Sequence, residues 1–139
     1  MKSRIFRTLA VGAAALGAVA FAAGPASAGD VGASLPGAWG SATFQYDGKY
    51  IADHIYLTLA DTAPDGHHVQ IRVQSETTSR VVTSYAWRSV TTGADTEQTW
   101  VTSLQDNRGI WAMRIQVCVY EGSTQLGCDE SSWDGNPAY

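Results

Sequence analysis

Apolar residues recur at every second position along nearly the whole chain beyond residue 28, and that period decides the fold class. In HHVQIRVQSE, Val69, Ile71 and Val73 fall on one side of an extended backbone, while Gln70, Arg72 and Gln74 fall on the other. Valine, isoleucine, threonine and aromatic residues dominate such stretches, as strands require, and no stretch carries the spacing of an amphipathic helix. The segments SATFQY, YIADHIYLTLA, HHVQIRVQSE, RVVTSYAWRSV, EQTWVTSL, IWAMRIQVCVYE and LGCDES all read this way. The expected fold is all-β: an antiparallel two-sheet β-sandwich of about seven strands, immunoglobulin-like in size but without the usual inter-sheet cysteine pair. Gly29 to Pro36 and Asp134 to Tyr139 read as loose ends.

Turns set the expected registers. Asp47-Gly48 in FQYDGKYI is a strong two-residue hairpin signal that pairs Tyr46 with Lys49, Phe44 with Ile51 and Trp39 with Tyr56. Asp53 then falls among the aliphatic residues Ile51 and Ile55, where a β-bulge would shift the row. Ala63-Pro64-Asp65-Gly66 is a second turn, with proline fixing the first central residue. Asp106-Asn107-Arg108-Gly109 predicts a further hairpin, with Leu104 facing Trp111 and Trp100 facing Ile115.

The first residues follow a different rule. MKSRIFR is basic, the run from Leu9 to Ala23 is apolar, and Ala26-Ser27-Ala28 offers small residues for cleavage, the pattern of a secretory signal peptide over residues 1–28. The apolar run is short for a membrane span, so the expected mature protein is residues 29–139, a single β-sandwich domain, secreted and extracellular, with no membrane insertion after cleavage. Export accounts for Cys118 and Cys128, the only two cysteines. Counting outward from a Gly122-Ser123-Thr124 loop places them opposite each other, where a bridge closing about ten residues is worth roughly 2.5 to 3 kcal/mol.

Loss of Lys2, Arg4 and Arg7 leaves six basic residues against thirteen acidic ones, a net charge of about −7. Nucleic acid is therefore not an expected partner, because phosphate binding needs a basic face. About 110 residues suffice for one domain with a real core, and the chain is expected to be a monomer.

ADTAPDGHHVQIRV, followed later by RIQVCVYEGSTQLGCDESSWDGNP, resembles the small secreted β-proteins of actinobacteria, with their aspartate-glycine turn, paired late cysteines, tryptophan and asparagine-proline ending. The likeness covers most of the mature chain and rests on turns and a bridge. It implies a secreted bacterial protein, and it carries no functional residue with it.

Residues that could do chemistry are sparse. His67 and His68 are strand neighbours and point to opposite faces, so they do not readily share a metal. Asp61 to Gly66 has the opening of a calcium loop but lacks the middle aspartate, and Arg72 stands where the bidentate glutamate belongs. Asp53-His54 has the composition of an acid-base pair, yet no serine sits in a nucleophile elbow and no thiol is left free. No catalytic residue, metal ligand or cofactor is assigned, and the chain is read as a non-enzyme.

Aromatic content says more, with five tryptophans and six tyrosines. In the aspartate-glycine register Trp39, Tyr50, His54 and Tyr56 share the hairpin side opposite Phe44, Ile51 and Ile55, which makes them the candidate ligand-binding residues. Flat aromatics with polar tips suit neutral, hydroxyl-rich ligands or a protein partner. The expected function is a secreted, non-catalytic binding or interaction module for extracellular polysaccharide, cell envelope or another protein. The alternative is a small secreted hydrolase or toxin using His54 and nearby carboxylates.

Overall fold

The computed structural model describes residues 27–139. The expected leader, residues 1–28, lies outside them except for Ser27 and Ala28. The described chain is all strand and loop: β1 (Ser27–Leu35), β2 (Ala38–Asp47), β3 (Ile51–Asp61), β4 (His68–Glu76), β5 (Val82–Ser84), β6 (Arg88–Val90), β7 (Thr96–Gln105), β8 (Ala112–Glu121), β9 (Thr124–Glu130) and β10 (Asp134–Gly135). Two antiparallel sheets form a β-sandwich, one in the order β1-β2-β3-β7 and one of six strands. The six-stranded sheet is no wider than the other, because β5 and β6 lie end to end along one side of the central β4–β8 pair, and β9 and β10 do the same along the other.

The core follows from alternation. β2, β3 and β7 turn Ala42, Phe44, Ile55, Leu57, Leu59 and Leu104 inward, and they meet Val69, Ile71, Val73, Ile115 and Val117 of β4 and β8. Small residues let the sheets close. A Cβ on Gly40 would lie 2.6 Å from Ile71 Cδ1 and 2.8 Å from Val117 Cγ2, so glycine between Ala38 and Ala42 makes the trough into which those side chains pack.

Three expected features differ, each for a tertiary reason. First, the β2–β3 turn spans Gly48, Lys49 and Tyr50, so that Asp47 pairs with Ile51 and Tyr46 with Ala52. Gly48 takes a positive φ of 70°, which glycine allows freely. The carbonyls of all three turn residues are held from elsewhere: Gly48 by the Asn136 side chain at 2.9 Å, Lys49 by the Ile110 N–H at 2.7 Å, and Tyr50 by the Asp106 N–H at 2.9 Å. Second, the 106–109 turn does not close a hairpin. β7 pairs with β3 and β8 with β4, so this turn carries the chain from one sheet to the other, which places Leu104 and Ile115 on facing inner surfaces. Third, the ends are ordered. Gly29 to Leu35 completes β1 against β2, and Asn136 is buried, donating to both the Gly48 and the Ile110 carbonyls. The RVVTSYAWRSV segment also divides, into β5 and β6.

The disulfide is formed, with Cys118 opposite Cys128 on β8 and β9. Its hairpin turn has two residues, Gly122 and Ser123, and a bulge between Val119 and Tyr120 restores the expected pairing. No helix among the described residues is long and apolar enough to cross a membrane.

Candidate functional site

Cross-strand rows build the outer face of the four-stranded sheet. Ser34, Trp39, Ala60 and Glu97 make one row, then Gly32, Ser41, Thr58 and Thr99, then Asp30, Thr43, Tyr56 and Val101. Three large apolar side chains stand out from this hydroxyl-rich ground: Trp39 is 37% exposed, Tyr56 47% and Val101 65%. Trp39 and Tyr56 lie four residues apart along the strands, about 14 Å. The expected direct pairing of Trp39 with Tyr56 does not occur, since Trp39 faces Ala60 and Tyr56 faces Thr43.

They nevertheless share a face because of a bulge at Asp53 and His54. Before it Gln45 pairs with Asp53, and beyond it Thr43 pairs with Tyr56, so β3 carries one extra residue there. Its register to β7 shifts at the same place. His54 takes a φ of 47°, a region a non-glycine residue seldom occupies. The bulge turns Asp53 outward beside it, and Asp53 Oδ1 lies 3.0 Å from His54 Nδ1. Asp30, Thr43, Gln45, His54 and Tyr56 line a shallow cleft of about 240 Å³. Trp39 lines a neighbouring hollow of about 250 Å³ with Thr62, Asp95 and Glu97. Asp61 lines that hollow too. It is buried, Oδ1 accepts the Ala63 N–H at 3.2 Å, and Oδ2 has no hydrogen-bond partner among the described residues.

Of the four candidate residues, the structure brings His54 and Tyr56 into one cleft and sets Trp39 on the same face beyond it. Tyr50 stands apart in the hairpin turn, 51% exposed. Asp30, Thr43, Gln45 and Val101 were not singled out by sequence. Asp30 comes from β1, whose glycine, alanine and serine residues carry little strand signal, and Val101 reads equally well as core.

The outer face of the six-stranded sheet is organised differently. Arg72 lies over Trp87 at 4.4 Å, Arg80 over Trp111 at 4.0 Å and Arg114 over Trp133 at 4.4 Å. His68 stacks on Tyr120, with ring centroids 5.5 Å apart. Cross-strand bonds tie the polar groups together: Arg72 Nε donates to Gln116 Oε1 and Arg114 Nε to Gln74 Oε1, both at 2.8 Å, and Arg114 Nη1 meets Glu130 Oε2 at 2.7 Å. His67 faces Asp65, with Nδ1 3.1 Å from Oδ2, away from His68.

Titration shifts lie outside the rows. The Arg108 guanidinium bonds Asp106 through both carboxylate oxygens and holds its carboxyl below the usual range. Burial pushes the Asp134 carboxyl up, the nearby Tyr46 hydroxyl opposes it and the charge of Asp30 adds to it, while the hydroxyl itself donates to the Asp134 main-chain carbonyl at 2.7 Å. No group of three or more histidine, cysteine or carboxylate side chains among the described residues is placed to hold a metal ion.

Compared with protein-family models, with curated proteins and with solved structures, the chain matches none.

Proposed function

We propose that the protein is an exported, non-catalytic binding module that contacts an extracellular polysaccharide through the outer face of the four-stranded sheet. One observation carries the reading: Trp39 and Tyr56 stand exposed on that face, with no cation among the described residues stacked on either ring, among Ser41, Thr43, Thr58 and Thr99. An aromatic ring covers the apolar side of a sugar, and hydroxyl and amide side chains meet its rim. The spacing of about 14 Å is several sugar-ring widths, which suits an extended chain better than a single residue. Export is supported by the leader pattern and by the Cys118–Cys128 bridge.

The test is capture on insoluble and immobilised polysaccharides by the parent, Trp39→Ala and Tyr56→Ala. Loss of capture at an unchanged melting temperature is the expected result. Parental capture by both variants, or no capture of any polysaccharide by the parent, would remove the proposal.

The Asp53–His54 contact supports hydrolysis as a second reading, since Asp53 orients the ring and leaves Nε2 free to act as a base. It ranks lower because both side chains are open to solvent and, among the described residues, no hydroxyl is hydrogen-bonded to the imidazole.

A further inference from the structure

The four-stranded sheet ends in β7, and among the described residues no strand pairs with the far side of it. Backbone bonds outside the sheet ladders involve Asp95 and Asp106 at its two ends and no residue from Glu97 to Gln105. An edge of this length is a template for another strand, and proteins usually blunt it with lysine, proline, a bulge or a covering loop. TEQTWVTSLQ has no lysine and no proline, and the bulged residue of the β3–β7 pair belongs to β3. β1, at the opposite edge, is treated otherwise: Asp129 Oδ2 accepts the Ser34 N–H at 3.0 Å, and Pro36 follows the strand.

We propose that the β7 edge is a self-association surface, on which a second copy of this chain pairs antiparallel about a two-fold axis at Val101. Residues opposed in an antiparallel pair point to the same face, so only registers centred on a residue extend both sheets with their outer faces aligned. Centring on Val101 sets it against its own copy, Thr99 against Ser103, and Glu97 against Gln105. On the inner side Trp100 meets Thr102 and Gln98 meets Leu104. Glu97, the sole charge in the paired stretch, thus meets an amide and no like charge. A register centred on Thr99 or Ser103 shortens the pairing, and the former sets Glu97 on Val101. One centred on Trp100 is as long but sets Val101 on Thr99, so the choice of Val101 rests on joining the two apolar side chains. Val101, the most exposed large apolar side chain among the described residues, is then covered by its own copy. This self-complementarity selects a second copy over a foreign extended peptide as the occupant. Both Trp39/Tyr56 faces then lie on one side of a continuous eight-strand sheet, an arrangement that multiplies weak contacts, although the pairing does not depend on what that face binds.

Sedimentation velocity on the disulfide-intact protein is the first test, with dimer expected to grow with concentration. Val101→Lys places two ammonium groups opposite each other and should give monomer at every concentration, with unchanged circular dichroism because the side chain is exposed. Cysteine trapping reads the register. Val101→Cys should yield a covalent dimer on mild oxidation; Glu97→Cys alone should not, but should cross-link when mixed with Gln105→Cys. A parent that stays monomeric up to about 1 mM, a dimer that survives Val101→Lys, or equal trapping of Glu97→Cys alone would overturn the proposal. Capture of an extended peptide by a protein that remains monomeric would assign the edge to another partner and overturn it too.

Discussion

The two outer faces of the sandwich use the same side-chain types for opposite ends. Along the six-stranded sheet Trp87, Trp111 and Trp133 each lie under a guanidinium, and the arginines continue into Gln74, Glu76, Gln116 and Glu130. On the four-stranded sheet Trp39 and Tyr56 stand among small hydroxyl residues, with no such cover among the described residues. A tryptophan stacked by arginine and ringed by satisfied hydrogen bonds has its contacts inside the protein, and its removal is felt as lost stability. An uncovered one in a row of serine and threonine keeps its ring for something outside. The five tryptophans are not one class: three lie under arginines, Trp100 packs against the core, and Trp39 keeps an open ring.

Substitution should break that contrast most sharply at Arg114. Arg114→Ala uncovers Trp133, strands the buried Gln74 amide oxygen and leaves Glu130 without its cation, and it should lower unfolding free energy by roughly 3 kcal/mol in urea titration. Polysaccharide capture should not change. Trp39→Ala should do the reverse, weakening capture at least tenfold, about 1.4 kcal/mol, with little change in melting temperature. If Trp39→Ala instead unfolds the protein, the two faces are alike and the contrast fails.

His54 sharpens the comparison from the backbone side. A non-glycine residue at φ 47° is held there against its preference, so His54→Gly should stabilise the domain by about 1 kcal/mol while reducing capture. A loss of stability would mean that the histidine is kept for its contacts within the fold. The smallest expected effect concerns acid. The Asp106 carboxyl is lowered by Arg108, so its contribution is present above the unfolded value of 3.8 and is lost as pH falls through the lower native value. Asp134, raised by burial, acts in the opposite sense, since its protonation favours the folded state. The urea midpoint of the parent should therefore fall more steeply below pH 4 than that of Asp106→Asn.

Alternation alone was enough for the fold class and for β4, β8 and β9, where a two-period pattern is flanked by local turns. The disulfide partners were also legible, because a shorter turn and a bulge cancel in the count. Asp47-Gly48 misled because its turn is widened by Asn136, Ile110 and Asp106, residues far away in sequence. The shared face of Trp39 and Tyr56 survived that error for a geometric reason: the wider turn and the bulge together move the register by an even number of residues, which preserves the face while changing the partner. β1 was not legible, since GDVGAS has little strand propensity and becomes a strand by completing the ladder of β2. Nor were the arginine stacks, in which each tryptophan lies in a loop far in sequence from its arginine, so that no periodic trace is left.

Asn136 fastens together turns that lie far apart in sequence. Its amide joins the tip of the β2–β3 hairpin to the β7–β8 crossing, and the Tyr139 ring beyond it lies beneath Lys49 and against Gly109. Loss of that amide would leave the Gly48 and Ile110 carbonyls without the partner that fastens this end of the sandwich, so the two turns are held as one unit. A bulky group placed on the Tyr139 ring would work against that fastening.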